Sequence, residues 1–358
     1  MKRTITLSIE QLNRPQPGGI ATYVRGLASG LASLTDSSLD VVGLGARGLT
    51  AEEALPLRTV MAPCGVRLLT LIWPIWPLGV PNNADVVHAT SMAGPFGGGR
   101  SNAVHSVSMH DLLWRDDPSV STPGGIRFHD RRLKYIADHK DLRVIVTSPG
   151  LIERLVDEGI DASRLHYVRL GVDDDSAGAA PEASVRELLA EHGVRGPFTL
   201  YAGTREPRKN IERLLEAHKI ASSATPELGP LVLVGPSGWG GVATGDAVVL
   251  GLVPRATLLG LYRDATVFAY VPLAEGWGLP PVEALHAGTR VVASATTPSV
   301  ASNGLVELVD PLDVSAIAAG LVTALSQSLD DASRAARGHS VADLTWRNVA
   351  LDHLAAWQ

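Results

Sequence analysis

Residues 274–288 read AEGWGLPPVEALHAG, a glycine-rich loop that leads into a short helical pattern and then into the apolar run TRVVAS. Glu275 and Glu283 lie eight residues apart, on either side of a Gly-Trp-Gly loop and a Pro-Pro pair. Pro280 or Pro281 suits the first turn of a helix, where a backbone N–H is not needed. We therefore predict a helix that begins just after the loop, with Glu283 within about one turn of its start.

The two glutamates have a chemistry that suits a sugar ligand. The carboxylate of Glu283 could accept hydrogen bonds from both hydroxyls of a ribose, and Glu275 could bind sugar hydroxyls. A simpler interpretation is that Glu283 only complements the positive end of the helix dipole. That interpretation accounts for one acid but not for the loop between the two.

A second motif is Tyr201–Asn210, YAGTREPRKN, at the end of an apolar strand pattern. Gly203 allows a turn, and Arg208 and Lys209 follow at the predicted start of a helix. Free backbone N–H groups, the helix dipole and two cationic side chains together favour an anion such as a phosphate. For the Arg-Lys pair alone, a solvated cap on a surface helix is the alternative.

Strand-like and helix-like runs alternate through most of the 358 residues. This alternation predicts βαβ units, and therefore an α/β fold with parallel sheets. The predicted strands are TITLSI, LDVVGL, ADVVHA, AVHSVSM and RVIVTS in the first half and FTLYAG, PLVLVG, AVVLG, ATVFAYV and TRVVAS in the second.

The chain length suits two domains of roughly 100–200 residues each. An acidic, Ala-rich segment at residues 173–183 has the composition of a hinge or linker. We therefore expect an N-terminal domain over residues 1–173 and a C-terminal domain over residues 174–340. A helical pattern at residues 341–358 is expected to complete the first domain.

These motifs resemble the retaining GT-B glycosyltransferases of family 4. The two glutamates match that family's E-x7-E signature, and the resemblance extends through PGGIATYVRGLASGL, DVVHATS, the HDL that begins at His110, VIVTS and VDPLD to nearly the whole chain. It implies a GT-B fold, with two Rossmann-like domains whose parallel sheets face each other across a central cleft. It also implies a hexosyltransferase of polysaccharide biosynthesis, with an acceptor-binding N-terminal domain and a C-terminal domain that binds the nucleotide-sugar donor.

The resemblance implies donor-binding roles for residues of the second domain. Arg208 and Lys209 would hold the donor diphosphate and Glu283 the ribose. Glu275 would bind the transferred sugar and phosphates together with the backbone of the residues that follow it, Gly276, Trp277, Gly278 and Leu279. Gly203 belongs to the same site through the YAGTREPRKN motif.

Three further positions follow from the resemblance. Leu252 and Val253, after the strand AVVLG, would meet the nucleotide base. Gly18 and Gly19 would approach the donor phosphate and the acceptor, because a residue without a side chain permits close approach. His110, which follows a buried strand, would contact the transferring sugar, so that the expected catalytic set is His110, Arg208, Lys209 and Glu275.

The expected reaction retains the anomeric configuration and needs neither a divalent metal ion nor a cofactor beyond the nucleotide sugar. The motif TREPRKN resembles mannosyltransferases, which slightly favours GDP-mannose, with UDP-glucose and UDP-N-acetylglucosamine as alternatives. The acceptor would be a hydroxyl of a glycan, a lipid-linked sugar or a small molecule. A GT-B nucleotide-sugar epimerase and a non-catalytic nucleotide-sugar-binding protein are the alternative functions.

Composition argues against a nucleic-acid partner and against a membrane-spanning helix, and it favours a cytoplasmic location. A net charge of -6 gives no electrostatic reason to bind nucleic acid. The single cysteine, Cys64, cannot form an internal disulfide, which fits a cytoplasmic protein. The apolar stretch at residues 66–80 is shorter than the ~20 residues of a spanning helix and contains prolines. It is expected to belong to the core or to an apolar acceptor groove, which leaves peripheral contact with the inner membrane face open.

Overall fold

The structure is a computed structural model, and it describes residues 2–14, 18–34, 38–48, 55–97, 102–173 and 178–358. The chain forms two compact units. The first comprises Met1–Asp173 together with Leu344–Gln358, and the second comprises Asp174–Asp343. Residues 174–177 of the predicted linker lie outside the described residues.

The first unit contains a parallel sheet that has seven strands in the described part of the chain. The strands are β1 (Arg3–Ser8), β2 (Leu39–Gly45), β3 (Arg58–Met61), β4 (Val86–Ala89), β5 (Val104–Met109), β6 (Arg143–Val146) and β7 (Leu165–Tyr167). Their order across the sheet is β3-β2-β1-β4-β5-β6-β7. The chain therefore winds outward from β1 in one direction and from β4 in the other, as in a Rossmann fold.

The second unit contains a parallel sheet of six strands among the described residues. These are β8 (Thr199–Ala202), β9 (Leu231–Val234), β10 (Val248–Gly251), β11 (Val267–Tyr270), β12 (Val291–Ser294) and β13 (Val306–Val309). Their order is β10-β9-β8-β11-β12-β13, so this sheet is also doubly wound, with its switch point between β8 and β11. The predicted α/β fold of two Rossmann-like units is confirmed.

Helices connect the strands in both units. Those of the first unit are α1 (Gly19–Ala32), α2 (Val66–Ile72), α3 (Leu113–Asp116), α4 (Pro123–Asp138) and α5 (Gly150–Asp157). Those of the second unit are α6 (Glu182–Glu191), α7 (Ile211–Ala224), α8 (Arg255–Asp264), α9 (Leu279–His286), α10 (Val314–Ser326) and α11 (Asp331–His339). The last helix, α12 (Trp346–Ala356), belongs to the first unit.

Three strands were absent from the sequence-based expectation, and all three lie at the edges of the sheets. β3 and β7 are the two edge strands of the first sheet, and β13 is an edge strand of the second. Central strands such as β8 and β11 are buried throughout, whereas β3 and β7 are largely exposed or half-buried. A continuous apolar run marks a strand covered on both faces, so these three edge strands did not produce that signal.

The C-terminal helix α12 packs closely on α1. A Cβ atom at Gly30 of α1 would lie 2.0 Å from the carbonyl oxygen of Trp346. Tyr23, also on α1, bonds through its hydroxyl to Nε2 of His353 over 2.8 Å and to Nε2 of His88 over 2.9 Å. All three of these polar side chains are fully buried, so a polar cluster joins the last helix to the first sheet.

The apolar stretch at residues 66–80 divides between the core and the surface. Trp73 is fully buried and packs in a small cluster with Leu69, whereas Trp76 is 65% exposed. Cys64 is half-buried against the same cluster rather than inside it. Among the described residues, no helix is both long enough and apolar enough to cross a bilayer.

Candidate active site

The candidate donor-site residues of the second unit follow the switch-point strands β8 and β11. Gly203 comes directly after β8, and Glu275 lies in the loop after β11. Gly203 has a φ of 153°, and a Cβ atom there would lie 2.8 Å from the hydroxyl oxygen of Tyr201. Ligands of doubly wound sheets bind outside the carboxyl ends of the strands at such a point.

Arg208 and Lys209 lie in a 3₁₀ turn, Pro207–Lys209, directly before α7. Asn210 lies between this turn and α7 and has a φ of 59°. It is the one non-glycine residue of the described chain with a positive φ. Asparagine tolerates this left-handed conformation better than most residues. Its Nδ2 donates to the carbonyls of Val271 and Pro311 over 2.9 and 2.7 Å, which fixes the turn against the end of β11.

Arg208, Lys209 and Glu275 form one ion cluster. The ammonium of Lys209 lies 2.5 Å from Oε2 of Glu275, and Nη1 of Arg208 lies 3.1 Å from Oε1. Arg208 also donates from Nη2 to Glu206 over 2.6 Å, and Lys209 donates to the hydroxyl of Tyr270 over 2.7 Å. The two cations and two carboxylates carry no net charge, so an incoming anion must compete with carboxylates already bound there.

Burial and charge act against each other in this cluster. Burial raises the pKa of Glu275, but Lys209 and Arg208 outweigh it and bring the pKa to about 2. Burial lowers the pKa of Lys209 although Glu275 acts upward. Burial also lowers the pKa of Arg208, but Glu275 and Glu206 reverse the effect and raise it above its ordinary value. Glu275 is therefore a weakly basic anion at neutral pH.

The loop after Glu275 turns sharply into α9. Gly278 is the N-cap of α9 with a φ of 97°, and a Cβ atom there would lie 2.5 Å from Cγ2 of Thr297. Ser299 holds the turn, because its Oγ donates to the carbonyl of Gly278 over 2.6 Å. Pro280 and Pro281 have no N–H, so the backbone donors at this helix start are confined to residues 276–279 and Val282.

Glu283 lies in a separate hydrogen-bond network on α9. Its Oε1 accepts from Nη1 of Arg255 over 2.7 Å, and its Oε2 accepts from the hydroxyl of Tyr262 over 2.9 Å. Each carboxylate oxygen can accept more than one hydrogen bond, so two ribose hydroxyls can still be bound. Leu252, which is 75% exposed, and the half-buried Val253 lie in the loop between β10 and Arg255.

His110 follows β5 in the first unit. Its Nε2 lies 2.9 Å from the carbonyl oxygen of Thr90. A carbonyl can only accept, so Nε2 carries the hydrogen and Nδ1 of the neutral ring carries the lone pair. Burial lowers the pKa of His110 although Thr90 and Asp111 act upward, which keeps the ring neutral near pH 7. Asp111 caps the next turn by accepting from the backbone N–H of Leu113 over 3.1 Å.

Gly18 and Gly19 begin α1, Gly18 as its N-cap and Gly19 as its first residue. A Cβ atom on either would meet no other atom within 4 Å. The packing of the first unit therefore does not itself require glycine at these positions, and their approach to a ligand stays a prediction. Residues 15–17, which precede them, lie outside the described residues.

The predicted residues thus fall into three groups. Arg208, Lys209 and Glu275 are in direct contact, and Glu283 has its own partners on α8. His110, Gly18 and Gly19 belong to the first unit.

Four side chains that take part in these contacts were not predicted from the sequence: Tyr270, Glu206, Arg255 and Tyr262. Tyr270 ends β11, a central strand, and the carboxyl end of such a strand is itself a signal for a site residue. Glu206 lies within the YAGTREPRKN motif, two residues before its partner Arg208, so the motif itself contained that residue. No comparable signal marks Arg255, because it meets Glu283 across 28 residues. In the described part of the chain, no group of three or more His, Cys, Asp or Glu side chains could hold a metal ion.

Two family models match the chain, and each falls within one unit. Residues 18–171 match the Glycosyl transferase 4-like domain, and residues 196–327 match the Glycosyl transferases group 1 family. Among curated proteins, O-antigen chain mannosyltransferase B of Escherichia coli is 30% identical to this chain over 266 residues. That match covers 70% of this chain and 69% of the relative.

Solved structures agree in fold along almost the whole chain. Sucrose-phosphate synthase from Thermosynechococcus elongatus has a TM-score of 0.74 at 21% identity and covers 99% of this chain and 98% of its own. HepE of Anabaena, solved in complex with UDP and glucose, has a TM-score of 0.71 at 16% identity, with 99% and 98% covered. At these identities the likeness bears on the fold alone.

Proposed function

Because the chain belongs to the group 1 glycosyltransferases of the family 4 type and has their GT-B fold, we propose that it moves a hexose with retention of anomeric configuration. As a glycosyltransferase it uses a nucleotide-sugar donor. The proposed acceptor group is a hydroxyl of a glycan, a lipid-linked sugar or a small molecule. In this proposal the second unit binds the donor, and the first unit binds the acceptor.

The observation that carries the proposal is the ion cluster at the switch point of the second sheet. Arg208 and Lys209 are both largely buried, and they flank the carboxylate of Glu275 beside the start of α9. When a sugar leaves, negative charge develops on the diphosphate, and cations already held in position stabilise that charge without reorganising. Two cations and a helix start therefore take the role that a divalent metal ion has in other transferases.

The low pKa of Glu275 decides its role. A carboxylate with a pKa of about 2 is a poor base at neutral pH, so it does not remove the proton of the acceptor hydroxyl. It accepts hydrogen bonds from the transferred sugar instead. The acceptor oxygen bonds to the anomeric carbon as the bond from that carbon to the phosphate oxygen breaks. The hydroxyl proton passes to the leaving phosphate, on the same face of the sugar.

The proposed donor is GDP-mannose. Support comes from the Escherichia coli relative, which is an O-antigen chain mannosyltransferase. UDP-glucose is the second candidate, as one of the alternatives that the sequence leaves open. Leu252, Val253 and the network of Arg255 with Glu283 are the proposed contacts for the base and the ribose.

A product assay tests the proposal. The full chain is incubated in EDTA with GDP-mannose, UDP-glucose or UDP-N-acetylglucosamine and with methyl α-mannoside as a probe acceptor, and proton NMR follows the anomeric signals. We expect one donor to be consumed, with retention and without added metal. Lys209→Ala should lower kcat/KM by a factor that corresponds to the loss of a few kcal/mol of transition-state stabilisation, as for removal of one oxyanion contact. Lys219→Ala, an exposed lysine on α7, is the matched control.

Other outcomes point to other functions. Conversion of the nucleotide sugar without any acceptor would indicate an epimerase. Donor binding without transfer to the probe or to water would indicate a non-catalytic binding protein. Consumption that requires Mg²⁺ or Mn²⁺, or a product of inverted configuration, would contradict the mechanism.

A further inference from the structure

We propose that Glu10 and Asn13 form a subsite for a sugar unit of the acceptor, in which two of its hydroxyls donate hydrogen bonds to them. The proposal rests on the proposed transferase function, because it locates the acceptor of that reaction. Glu10 and Asn13 are the first and last residues of a 3₁₀ turn that follows β1.

The turn lies at the switch point of the first sheet. β1 and β4 are neighbours there, and β5 lies next to β4. Oε1 of Glu10 accepts from Oγ of Ser91, which follows β4. The residue before Ser91 is Thr90, whose carbonyl accepts from His110 at the end of β5. The carboxyl ends of three adjacent strands thus bring Glu10 close to the histidine expected to face the reacting sugar.

Glu10 has one oxygen without a partner. The side chain is fully buried, and its Oε1 accepts from Gln11 and from Ser91, each over 3.0 Å. Its Oε2 is also buried and has no hydrogen-bond partner. A buried polar atom left unpaired is costly, and a hydrogen-bond donor from outside the chain, such as a ligand hydroxyl, would remove that cost.

Surrounding hydrogen bonds fix the orientation of the Glu10 carboxylate. Oγ of Ser91 accepts from Nε2 of Gln11 over 2.9 Å and from the backbone N–H of Ala93 over 3.1 Å. Its single hydrogen is therefore available only for Oε1 of Glu10. The network holds the carboxylate by one oxygen and leaves the other for a donor from outside the network.

Asn13 repeats the pattern three residues later. Its Oδ1 is buried and has no hydrogen-bond partner. Side chains three residues apart in a 3₁₀ turn lie above one another, so Glu10 and Asn13 lie on the same side of the turn. A ligand that matches them offers two hydrogen-bond donors, as neighbouring hydroxyls of a sugar do.

A metal ion fits these residues less well. Ca²⁺ takes 6–8 oxygen ligands and prefers several carboxylates. Within the described ranges, no cluster of three or more ligating side chains exists here or elsewhere. A sugar hydroxyl needs only one acceptor for each hydrogen, and the turn supplies two.

Binding of simple glycosides tests the subsite. Methyl α-mannoside and methyl α-glucoside are titrated into the full chain, without donor, and saturation-transfer NMR gives Kd. Glu10→Gln keeps the shape and both bonds to the retained oxygen, but it places an N–H donor where the ligand needs an acceptor. We expect Kd for the bound glycoside to rise about tenfold or more, as for loss of a hydrogen bond to a charged group. Asn13→Ala should also raise Kd.

Two controls separate binding from folding. Glu153→Gln changes an exposed glutamate on α5 of the same unit and should leave Kd unchanged. Stabilisation of each variant by GDP and UDP should match that of the wild type, because the donor residues belong to the second unit. If Glu10→Gln does not fold, Asn13→Ala at a half-buried position decides the question.

The proposal is overturned if neither glycoside binds the wild type saturably, or if Glu10→Gln and Asn13→Ala bind as the wild type does. Displacement of the glycoside by Ca²⁺ or Mg²⁺ would overturn it in favour of a cation site. Transfer from the donor to water is measured in parallel. Turnover with unchanged glycoside binding in the variants rejects the subsite alone, whereas glycoside binding that depends on Glu10 without any turnover rejects the proposed function alone.

Discussion

Replacement of Glu275 by glutamine removes the charge that holds Arg208 and Lys209 together while keeping the shape of the side chain. In the folded protein the pKa of Glu275 is brought from 4.5 to about 2. A tenfold change in an acid dissociation constant corresponds to about 1.4 kcal/mol, so ionisation of this group contributes about 3 kcal/mol to folding at neutral pH. We expect Glu275→Gln to reduce the free energy of unfolding of the second unit by up to about 3 kcal/mol.

The sign of the pH dependence follows from the lowered pKa of Glu275. The folded pKa lies below the unfolded one, so the contribution is complete above about pH 4.5 and is lost as the pH falls toward 2. Wild type and Glu275→Gln should therefore differ most near neutral pH. Their difference should shrink in acid.

Native-state hydrogen exchange measures this effect where it occurs, because the two units need not unfold together. The peptides to follow are those of β8 and β11. Glu212→Gln is the matched control, because Glu212 is exposed in the first turn of α7, and its effect should stay within about 0.5 kcal/mol. Equal protection of the second sheet in Glu275→Gln and in the wild type at pH 7 would refute the coupling between the carboxylate and the two cations.

Three further predictions concern packing, pH and donor binding. Gly30→Ala should lower the melting temperature, because the new Cβ would lie 2.0 Å from the carbonyl oxygen of Trp346. Such overpacking reduces the free energy of unfolding by about 1–3 kcal/mol or more. Gly150→Ala is the control and should have little effect, because a Cβ atom there meets nothing within 4 Å. Equal melting temperatures for Gly30→Ala and Gly150→Ala would contradict the prediction. Burial lowers the pKa of His353 from 6.5 to about 4, so about 3 kcal/mol of stability present above pH 6.5 should be lost by pH 4. In urea unfolding, His353→Gln should show a weaker dependence of the free energy of unfolding on pH between pH 6.5 and pH 4. An unchanged dependence would contradict the prediction. Glu283→Ala should raise the Kd for GDP-mannose, measured by calorimetry, about tenfold, because the charge-assisted hydrogen bonds to the ribose hydroxyls are lost. An unchanged Kd would rule out the ribose contact.

The sequence predicts the central strands of each sheet and the edge strand β10, but not the three edge strands β3, β7 and β13. Strands such as β8 and β11 are covered on both faces, so burial imposes a continuous apolar run that is visible in the sequence. Edge strands such as β3 and β7 are partly exposed, and their composition is not constrained in the same way. The doubly wound order of the strands then follows from right-handed connections between parallel strands.

The candidate site divides along a similar line. The spacing between Glu275 and Glu283, and the Arg208-Lys209 pair, are local features of the sequence, so the motif chemistry could be stated before the structure. Tyr270 was missed although it lies only five residues before Glu275, because a tyrosine that ends an apolar strand looks like a core residue. Its contact with Lys209 spans 61 residues and forms because β8 and β11 are neighbours in the sheet.

Long-range contacts also decide the residues of the first unit. Glu10 lies in a polar segment of the sequence, yet it is fully buried because Ser91, 81 residues further along, meets it at the end of β4. Arg255 and Glu283 meet across 28 residues in the same way. Neither a periodicity nor a local spacing encodes such pairs, so only the structure identifies them.

Nucleotide binding in the presence of EDTA is the most direct test of the central claim, that Arg208 and Lys209 hold the diphosphate of the donor without a metal ion. Thermal shifts are recorded for GDP, UDP, ADP and TDP with the wild type, Arg208→Ala, Lys209→Ala and Glu275→Gln, because a ligand that binds the folded state raises its stability by mass action. We expect a rise in melting temperature that is selective for one base and insensitive to EDTA. That rise should be lost in Arg208→Ala and Lys209→Ala and retained in Glu275→Gln, where removal of a carboxylate does not disfavour an anion. No rise with any nucleotide, or an equal rise in Lys209→Ala and the wild type, would contradict it.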